Sequence, residues 1–135
     1  MVEAGHWKVE FHDDFEKEFE AFTVEVQTEL LASAKAVQRL GPKAGRPHVA
    51  TLANARHPNM KELRFNAHGA TQVWRAAFAF DPDRRAVVLV AADKQGLDPT
   101  RFYKELLRKA NDRFDRHLAS FKNDRPVSTI EPAGN

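Results

Sequence analysis

The sequence predicts an α+β domain in the order β-α-α-β-β-β-α, with an antiparallel, twisted sheet and helices packed on one face. Three observations lead to this prediction. Residues 6–11, "HWKVEF", alternate apolar and polar side chains as a half-buried strand does, and two helical repeats of apolar residues follow. Three further alternating segments, separated by short turns, indicate an antiparallel meander. A long amphipathic segment over residues 99–121 predicts the final helix.

The two helices after the first strand have recognisable beginnings and ends. Asp13 is suited to cap the N-terminus of "DFEKEFEAF", whose early acidic residues favour the helix dipole. Thr23 is the predicted N-cap of the second helix, residues 24–40, which stops at Gly41. Residues 41–59 have little periodicity and predict a long loop, with room for a short helical or extended piece.

The meander contains the least ordinary pattern of the chain. Its strands are predicted at residues 60–65, 72–80 and 86–92. One set of alternate residues in the middle strand is expected to face the helices: Trp74, Ala76, Phe78 and Phe80. The opposite set consists of Val73, Arg75, Ala77 and Ala79. An arginine among small residues predicts a shallow, open surface around a guanidinium group.

Length and composition are those of a single globular domain. The chain has 135 residues, of which 42% are hydrophobic and 30% charged. We expect one domain over residues 1–122 and a disordered polar tail over residues 123–135. The absence of cysteine excludes disulfides and thiolate chemistry. Because the sequence has neither an apolar run of membrane-spanning length nor a signal-peptide pattern, the expected location is the cytoplasm, with no membrane partner.

The net charge of +2 conceals a marked asymmetry. Residues 1–30 carry nine acidic residues against two lysines, whereas residues 31–135 carry 19 basic residues against ten acidic ones. A basic body with an acidic flank favours a polyanionic partner. The simpler alternative is that the early acidic residues pair with bases elsewhere in the fold. A further alternative is that they receive a basic segment of a protein partner.

Arg75 is the residue that most directly indicates a function. A buried, unpaired arginine is costly, so its guanidinium must face solvent, a carboxylate or a ligand. A cross-strand pair with Glu62 would satisfy it without any function. However, Arg64 lies in the strand expected to pair with this one, and Lys94 follows the last strand. Cations gathered on one sheet face repel each other unless an anion binds there, and guanidinium groups suit phosphate oxygens.

Other residue types give weaker signals. Tyr103 and Lys104 begin the final helix, although a lone aromatic residue at a helix start is commonly part of the core. The histidines are scattered, without metal-ligand spacing: His6, His12, His48, His57, His68 and His117. We therefore expect no metal and no cofactor.

Taken together, these motifs resemble those of a known family. "GRPHV", "MKELRF", "VWRAAFAFDPDRRAVVLVAADKQG" and "RFYKELLRKANDRFDRHL" are similar to the phage-derived, HigB-like branch of the RelE/ParE toxin superfamily. The resemblance covers residues 7–121 and implies a RelE-like fold. It also implies a toxin of a type II toxin–antitoxin module that cleaves mRNA on the ribosome and leaves a 2′,3′-cyclic phosphate. The implied partners are the ribosome, mRNA and a cognate helix-turn-helix antitoxin, the last in a toxin–antitoxin hetero-oligomer.

The resemblance implies catalytic roles for four residues. Arg75 would stabilise the pentavalent phosphorane, and Lys94 would protonate the leaving 5′-oxygen. Arg64 would hold the substrate or assist deprotonation. Tyr103 would stack on or orient a base.

A second group of residues is predicted to bind nucleic acid: Lys61, His57, Arg56 and Lys104. Lys61 lies in the same "KELRF" motif as Arg64. No residue is an obvious general base, and Lys61 and His57 are the candidates for that role.

Two other functions stay open at the level of sequence. The same superfamily contains ParE-type toxins, which inhibit DNA gyrase through protein contacts and do not need the cationic set. The other alternative is a degenerate module that only binds its antitoxin or RNA. Mapped RNA cuts, inhibition of supercoiling, or binding without cleavage would distinguish the three functions.

Overall fold

The computed structural model describes the backbone of residues 7–130 and the side chains of residues 7–121. The elements are β1 (Lys8–Phe11), α1 (Asp13–Glu20), α2 (Val24–Leu40), a 3-10 turn (Gly41–Lys43), β2 (Val49–Thr51), β3 (Met60–Ala67), β4 (Gln72–Phe80), β5 (Arg85–Asp93) and α3 (Pro99–Ile130). The α+β class and the predicted order of elements are confirmed. The 3-10 turn and the short strand β2 are the short pieces for which the predicted loop has room.

The five strands form one sheet in the order β1-β5-β4-β3-β2. Strands β2 to β5 pair antiparallel, as the meander predicts, but β1 lies parallel to β5, with Phe11 opposite Val88. The expectation of an antiparallel sheet therefore needs a correction, because the sheet is mixed. The physical reason is that no hairpin joins β1 to its neighbour, so no short turn dictates its direction.

One side of the sheet, here called the aromatic face, packs against α1 and α2. Its core contains the alternate residues of β4 that were expected to face the helices. Phe15, Leu30 and Phe78 are each no more than 1% exposed. Trp7 closes this core against Phe80, with ring centroids 4.9 Å apart. The aromatic face is thus a close-packed core made almost wholly of apolar side chains.

The other side of the sheet, here called the alanine face, is covered by α3. Ala77 and Ala79 of β4 are fully buried beneath the apolar stripe of α3, which consists of Phe102, Leu106, Ala110 and Phe114. The sequence-based expectation of helices on one face, with an open surface around Arg75, is corrected here. An amphipathic helix must bury its stripe, and strand residues as small as alanine allow it to approach the sheet closely.

Ion pairs hold α3 to the rest of the domain. The Arg113 guanidinium donates to both carboxylate oxygens of Glu18 at 3.0 and 2.6 Å, and to the Leu89 carbonyl at 2.8 Å. Arg116 donates to Asp14 at 2.8 Å. The acidic residues of α1 therefore pair with bases of α3, as the simpler interpretation of the charge asymmetry predicts.

The helix ends differ in detail from the sequence prediction. The N-cap of α1 is His12, not Asp13, because the His12 ring Nδ1 accepts from the Asp14 N–H at 3.0 Å. Thr23 caps α2 as predicted, its hydroxyl accepting from the Val26 N–H at 3.2 Å. Helix α3 continues to Ile130, beyond the expected domain boundary at residue 122. Residues 131–135 of the expected tail lie outside the described residues.

Candidate active site

Strand pairing brings the predicted cations to one end of the sheet. Arg64 of β3 and Arg75 of β4 are direct partners in the antiparallel register. On the other side of β4, Arg75 is opposite Ala92, and Lys94 follows two residues later. The Lys94 N–H donates to the Val73 carbonyl at 2.8 Å, which continues the strand pairing past the end of β5. Three of the four predicted catalytic residues thus share one end of the meander.

Glu62 lies among these cations and is buried, with 4% of its surface exposed. Its Oε2 accepts from Arg64 Nη1 at 2.8 Å. Its Oε1 lies 3.9 Å from Arg75 Nε, which is too far for a hydrogen bond. The Glu62–Arg75 ion pair that was considered from the sequence is therefore present. It leaves both facing atoms without a hydrogen-bond partner in the described part of the chain.

Arg75 itself is 6% exposed and held in place. Its Nη1 donates to the Trp74 carbonyl at 3.0 Å, so the guanidinium folds back along its own strand. A buried guanidinium with an unused Nε–H beside an unused carboxylate oxygen is under-satisfied, because each such group normally finds a partner. This arrangement fixes the position of a buried charge beside Tyr103.

Two clefts meet this ion pair. The first, here called the arginine cleft, has a volume of about 550 Å³ and is lined by Arg64, Arg75 and His48 together with residues of α2. The second, here called the tyrosine cleft, has a volume of about 750 Å³ and is lined by Glu62, Tyr103 and other residues between β2 and α3. The Glu62–Arg75 pair therefore connects a basic cleft to one with an aromatic wall.

Tyr103 lies on the first turns of α3, between Glu62 and Lys94. Its ring centroid is 6.0 Å from Lys94 Nζ, within the range of a cation–π contact. Burial raises the pKa of the Tyr103 phenol, and the nearby Glu62 carboxylate raises it further. The phenol is consequently protonated at neutral pH, when it can donate a hydrogen bond or present its ring face but cannot act as a base.

The residues predicted to bind nucleic acid are not all near this site. Lys104 is exposed and lines the tyrosine cleft next to Tyr103. Arg56 and His57 instead pair with Asp115 of α3, His57 Nε2 lying 2.7 Å from the carboxylate. Lys61 pairs with Phe78, which lies three residues beyond Arg75 along β4. Because Lys61 and Arg64 are three positions apart on β3, their side chains lie on opposite faces of the sheet. His57 and Lys61, the two candidates for the general base, thus lie outside the group formed by Arg64, Arg75 and Lys94.

Glu62 is the residue whose functional potential the sequence interpretation missed. The signal for it was present, because alternation places Glu62 and Arg64 on the same face of β3. It was considered only as a structural partner for Arg75.

Among the described residues there is no cluster of three or more histidine or acidic side chains suited to hold a metal ion. Nor does this part of the chain contain a helix long and apolar enough to cross a membrane.

Comparison with known proteins places the chain in a family. A family model described as phage-derived protein Gp49-like matches residues 17–115. A Mycobacterium tuberculosis protein named "Putative toxin HigB2" is 40% identical over 97 residues, which are 72% of this chain and 47% of that protein. A second protein of the same organism, "Putative toxin HigB3", is 33% identical over 105 residues, which are 78% of this chain and 88% of that protein.

The segment matched by the family model contains strands β2 to β5 and the first half of α3, and therefore both clefts. The match spans about half the length of the first relative but most of the second. Fold, motif order and similarity agree with the resemblance found in the sequence. The chain belongs to the phage-derived Gp49-like family and, within it, to the HigB-like proteins.

Proposed function

We propose that the chain is the toxin of a toxin–antitoxin module and that it cleaves mRNA on the ribosome. The relatives named as HigB toxins support the first part of this proposal. The observation that carries the second part is the register of Arg64 opposite Arg75, with Glu62 between them. Two guanidinium groups and one carboxylate with a free oxygen suit a reaction that develops negative charge on phosphorus-bound oxygens.

The proposed reaction needs no metal ion and no external reactant. The 2′-oxygen of the RNA attacks the adjacent phosphorus, and its proton passes to the free Oε1 of Glu62. The bond between phosphorus and the 5′-oxygen then breaks, and Lys94 supplies the proton to that oxygen. The products are a 2′,3′-cyclic phosphate and a 5′-hydroxyl.

Arg75 and Arg64 would stabilise the extra charge of the pentavalent phosphorane. Arg75 suits this role because the orientation of its guanidinium is fixed by the bond to the Trp74 carbonyl. A donor fixed in advance stabilises the transition state without reorganising during the reaction. Because Arg75 is buried, the phosphate would approach it through the arginine cleft, where Arg64 is partly exposed.

Tyr103 would position a base next to the scissile bond. Its ring forms a wall of the tyrosine cleft, and Lys104 offers a cation for the flanking phosphate. Stacking on an aromatic ring holds any base, so this cleft would orient the RNA with little sequence selectivity.

The experiment is a pulse of expression in cells, followed by mapping of new RNA 5′ ends across the transcriptome. Wild type, Arg75→Ala and a control, Arg85→Ala, are compared. Arg85 is a matched control because it is also a strand arginine paired with carboxylates, here Glu10 and Asp81, but it lines neither cleft.

Cuts inside translated codons with wild type and Arg85→Ala, and none with Arg75→Ala, are the expected result. Growth arrest without RNA cuts would contradict the nuclease and point to gyrase inhibition of the ParE type. If none of the three proteins arrested growth, the toxin proposal would be rejected in favour of a module that only binds.

A further inference from the structure

The outer edge of β5 is unpaired over its second half. Strand β1 pairs with the segment from Arg85 to Val88, whereas β5 continues to Asp93. The Val88 carbonyl still accepts from the His12 N–H at 2.9 Å, and the Leu89 carbonyl accepts from Arg113. Beyond that point none of the described strands lies along this edge.

The backbone of Ala91 is directed out of the sheet at this edge. Ala92 is paired with Arg75, and the Lys94 N–H donates to the Val73 carbonyl, so these residues direct their backbone groups towards β4. Alternation along a strand then turns the N–H and C=O of the intervening residues, Ala91 and Asp93, away from β4. An edge of this kind is a template for pairing with another extended chain.

An apolar groove, here called the edge groove, runs beside this open edge. It has a volume of about 590 Å³ and lies between the end of α1, the edge of β5 and the first turns of α3. Its apolar walls come from Phe22, Ala91, Leu97, Phe102 and Leu106. Leu97 is 56% exposed and extends this apolar lining to the surface. Open backbone groups beside apolar pockets suit a strand with alternate apolar side chains.

The rim of the edge groove has unbalanced positive charge. Its two acidic residues already have partners: Glu18 pairs with Arg113, and Glu105 with Arg108. The side chains of its two basic residues, Arg101 and Lys109, form no hydrogen bond or salt bridge with the described residues. An occupant with acidic side chains at its outward positions would therefore be complementary.

We propose that the edge groove binds an extended segment of the cognate antitoxin, in which apolar residues alternate with acidic ones, and that this segment adds a strand to β5. The identity of the partner rests on the toxin function proposed above, whereas the chemistry of the segment rests on the groove alone. The edge groove shares no lining residue with the arginine cleft or the tyrosine cleft. Substitutions in the groove therefore leave the lining of both clefts unchanged.

The first test uses a fluorescent eight-residue peptide of alternating valine and glutamate, titrated against the full chain by anisotropy. Ala91→Pro removes the outward N–H but leaves the pairing with β4, and we expect it to weaken binding by about tenfold or more. Arg101→Glu combined with Lys109→Glu should weaken binding by about the same factor. The matched control, Arg39→Glu with Lys43→Glu, makes the same charge change on α2 and the turn after it, and should alter affinity by less than about twofold.

Equal binding of a valine–lysine peptide, or unchanged binding to Ala91→Pro and to the double charge reversal, would overturn the proposal. Self-association of the chain that Ala91→Pro abolishes would also overturn it, because the occupant would then be a second copy.

The second test assigns the partner. The antitoxin that neutralises the wild type in cells should fail to neutralise Ala91→Pro, whose cleavage activity should be intact. Full neutralisation of Ala91→Pro would reject the antitoxin as the occupant. If the wild type neither cleaves RNA nor arrests growth, the proposed function fails, while the peptide titration still decides whether the groove binds such a segment.

Discussion

The two faces of the sheet are built from the same strands and differ in what they bury. The aromatic face buries rings and aliphatic chains between the sheet and two helices. The alanine face buries small residues beneath α3 and, at one end, the charged residues Glu62 and Arg75. Burying apolar groups stabilises a fold, whereas burying under-satisfied charges costs free energy. The aromatic face therefore supports the domain, whereas the alanine face holds the groups that we propose for catalysis.

Alternation along β4 makes this division possible. Trp74, Phe78 and Phe80 face one way, while Arg75 faces the other from a position between them. The strand that packs into the core therefore also fixes the position of the Arg75 guanidinium, because a close-packed interior leaves a strand little room to move. A site built this way would gain rigidity from a core that takes no part in the proposed reaction.

The largest expected effect is on the aromatic face. Phe78→Ala should lower the free energy of unfolding by about 3–5 kcal/mol, because it removes a fully buried ring and leaves a cavity. Urea denaturation followed by circular dichroism measures this. A loss below about 1 kcal/mol would show that the core collapses into the space, and the comparison between the faces would be weakened.

The next effect concerns how α3 is held over the alanine face. Arg113→Ala should lower the free energy of unfolding by about 1.5–3 kcal/mol, since it removes charged hydrogen bonds to Glu18 and leaves the Leu89 carbonyl without its donor. The control is Arg108→Ala, which removes an exposed pair with Glu105 and should cost less than about 1 kcal/mol. Similar losses for both variants would contradict the assigned role of Arg113.

A smaller effect separates the two parts of the Tyr103 side chain. If the ring stacks on a base, Tyr103→Ala should raise the activation barrier by about 1–3 kcal/mol, while Tyr103→Phe keeps most of the activity. Rates of cleavage by ribosome complexes, measured with both variants, check this. A Tyr103→Phe variant as impaired as Tyr103→Ala would assign the role to the hydroxyl instead.

The smallest effect is a pH dependence at the start of α1, beside the aromatic face. Burial lowers the pKa of His12 below its ordinary value of 6.5, and its neutral ring accepts from the Asp14 N–H. Because the folded state holds this proton less tightly than the unfolded state, the stabilisation is complete above pH 6.5 and is lost as the pH falls below it.

His12→Asn retains a capping oxygen that does not titrate near neutral pH. The free energy of unfolding of the wild type should therefore fall more than that of the variant between pH 7.5 and 5.5. Parallel curves would refute the assignment.

Much of the fold follows from local patterns in the sequence. Residues 72–80 were predicted as a strand and form β4 over that range, and Thr23 caps α2 as expected. The alternation that defines the aromatic face is also local. These features depend on neighbours within a few positions, which is why periodicity and capping rules identify them.

The parts that were missed depend on distant contacts. No local pattern shows which face α3 covers, and covering the alanine face turned an expected open surface into a buried one. Similarly, His57 pairs with Asp115, 58 positions away, and its closeness in sequence to Lys61 and Arg64 does not reveal this contact. The unused oxygen of Glu62 depends on a separation of 3.9 Å from Arg75, which a sequence does not determine.

The central claim, that the alanine face performs the reaction and the aromatic face supports the fold, is tested most directly on Arg75→Ala and Phe78→Leu. Cleavage of mRNA in purified ribosome complexes and urea unfolding are measured on the same preparations. We expect Arg75→Ala to lose about 10²–10³-fold in cleavage rate while it remains folded. Phe78→Leu should lose stability but keep its rate below its unfolding transition. Undiminished cleavage by a folded Arg75→Ala protein would contradict the claim.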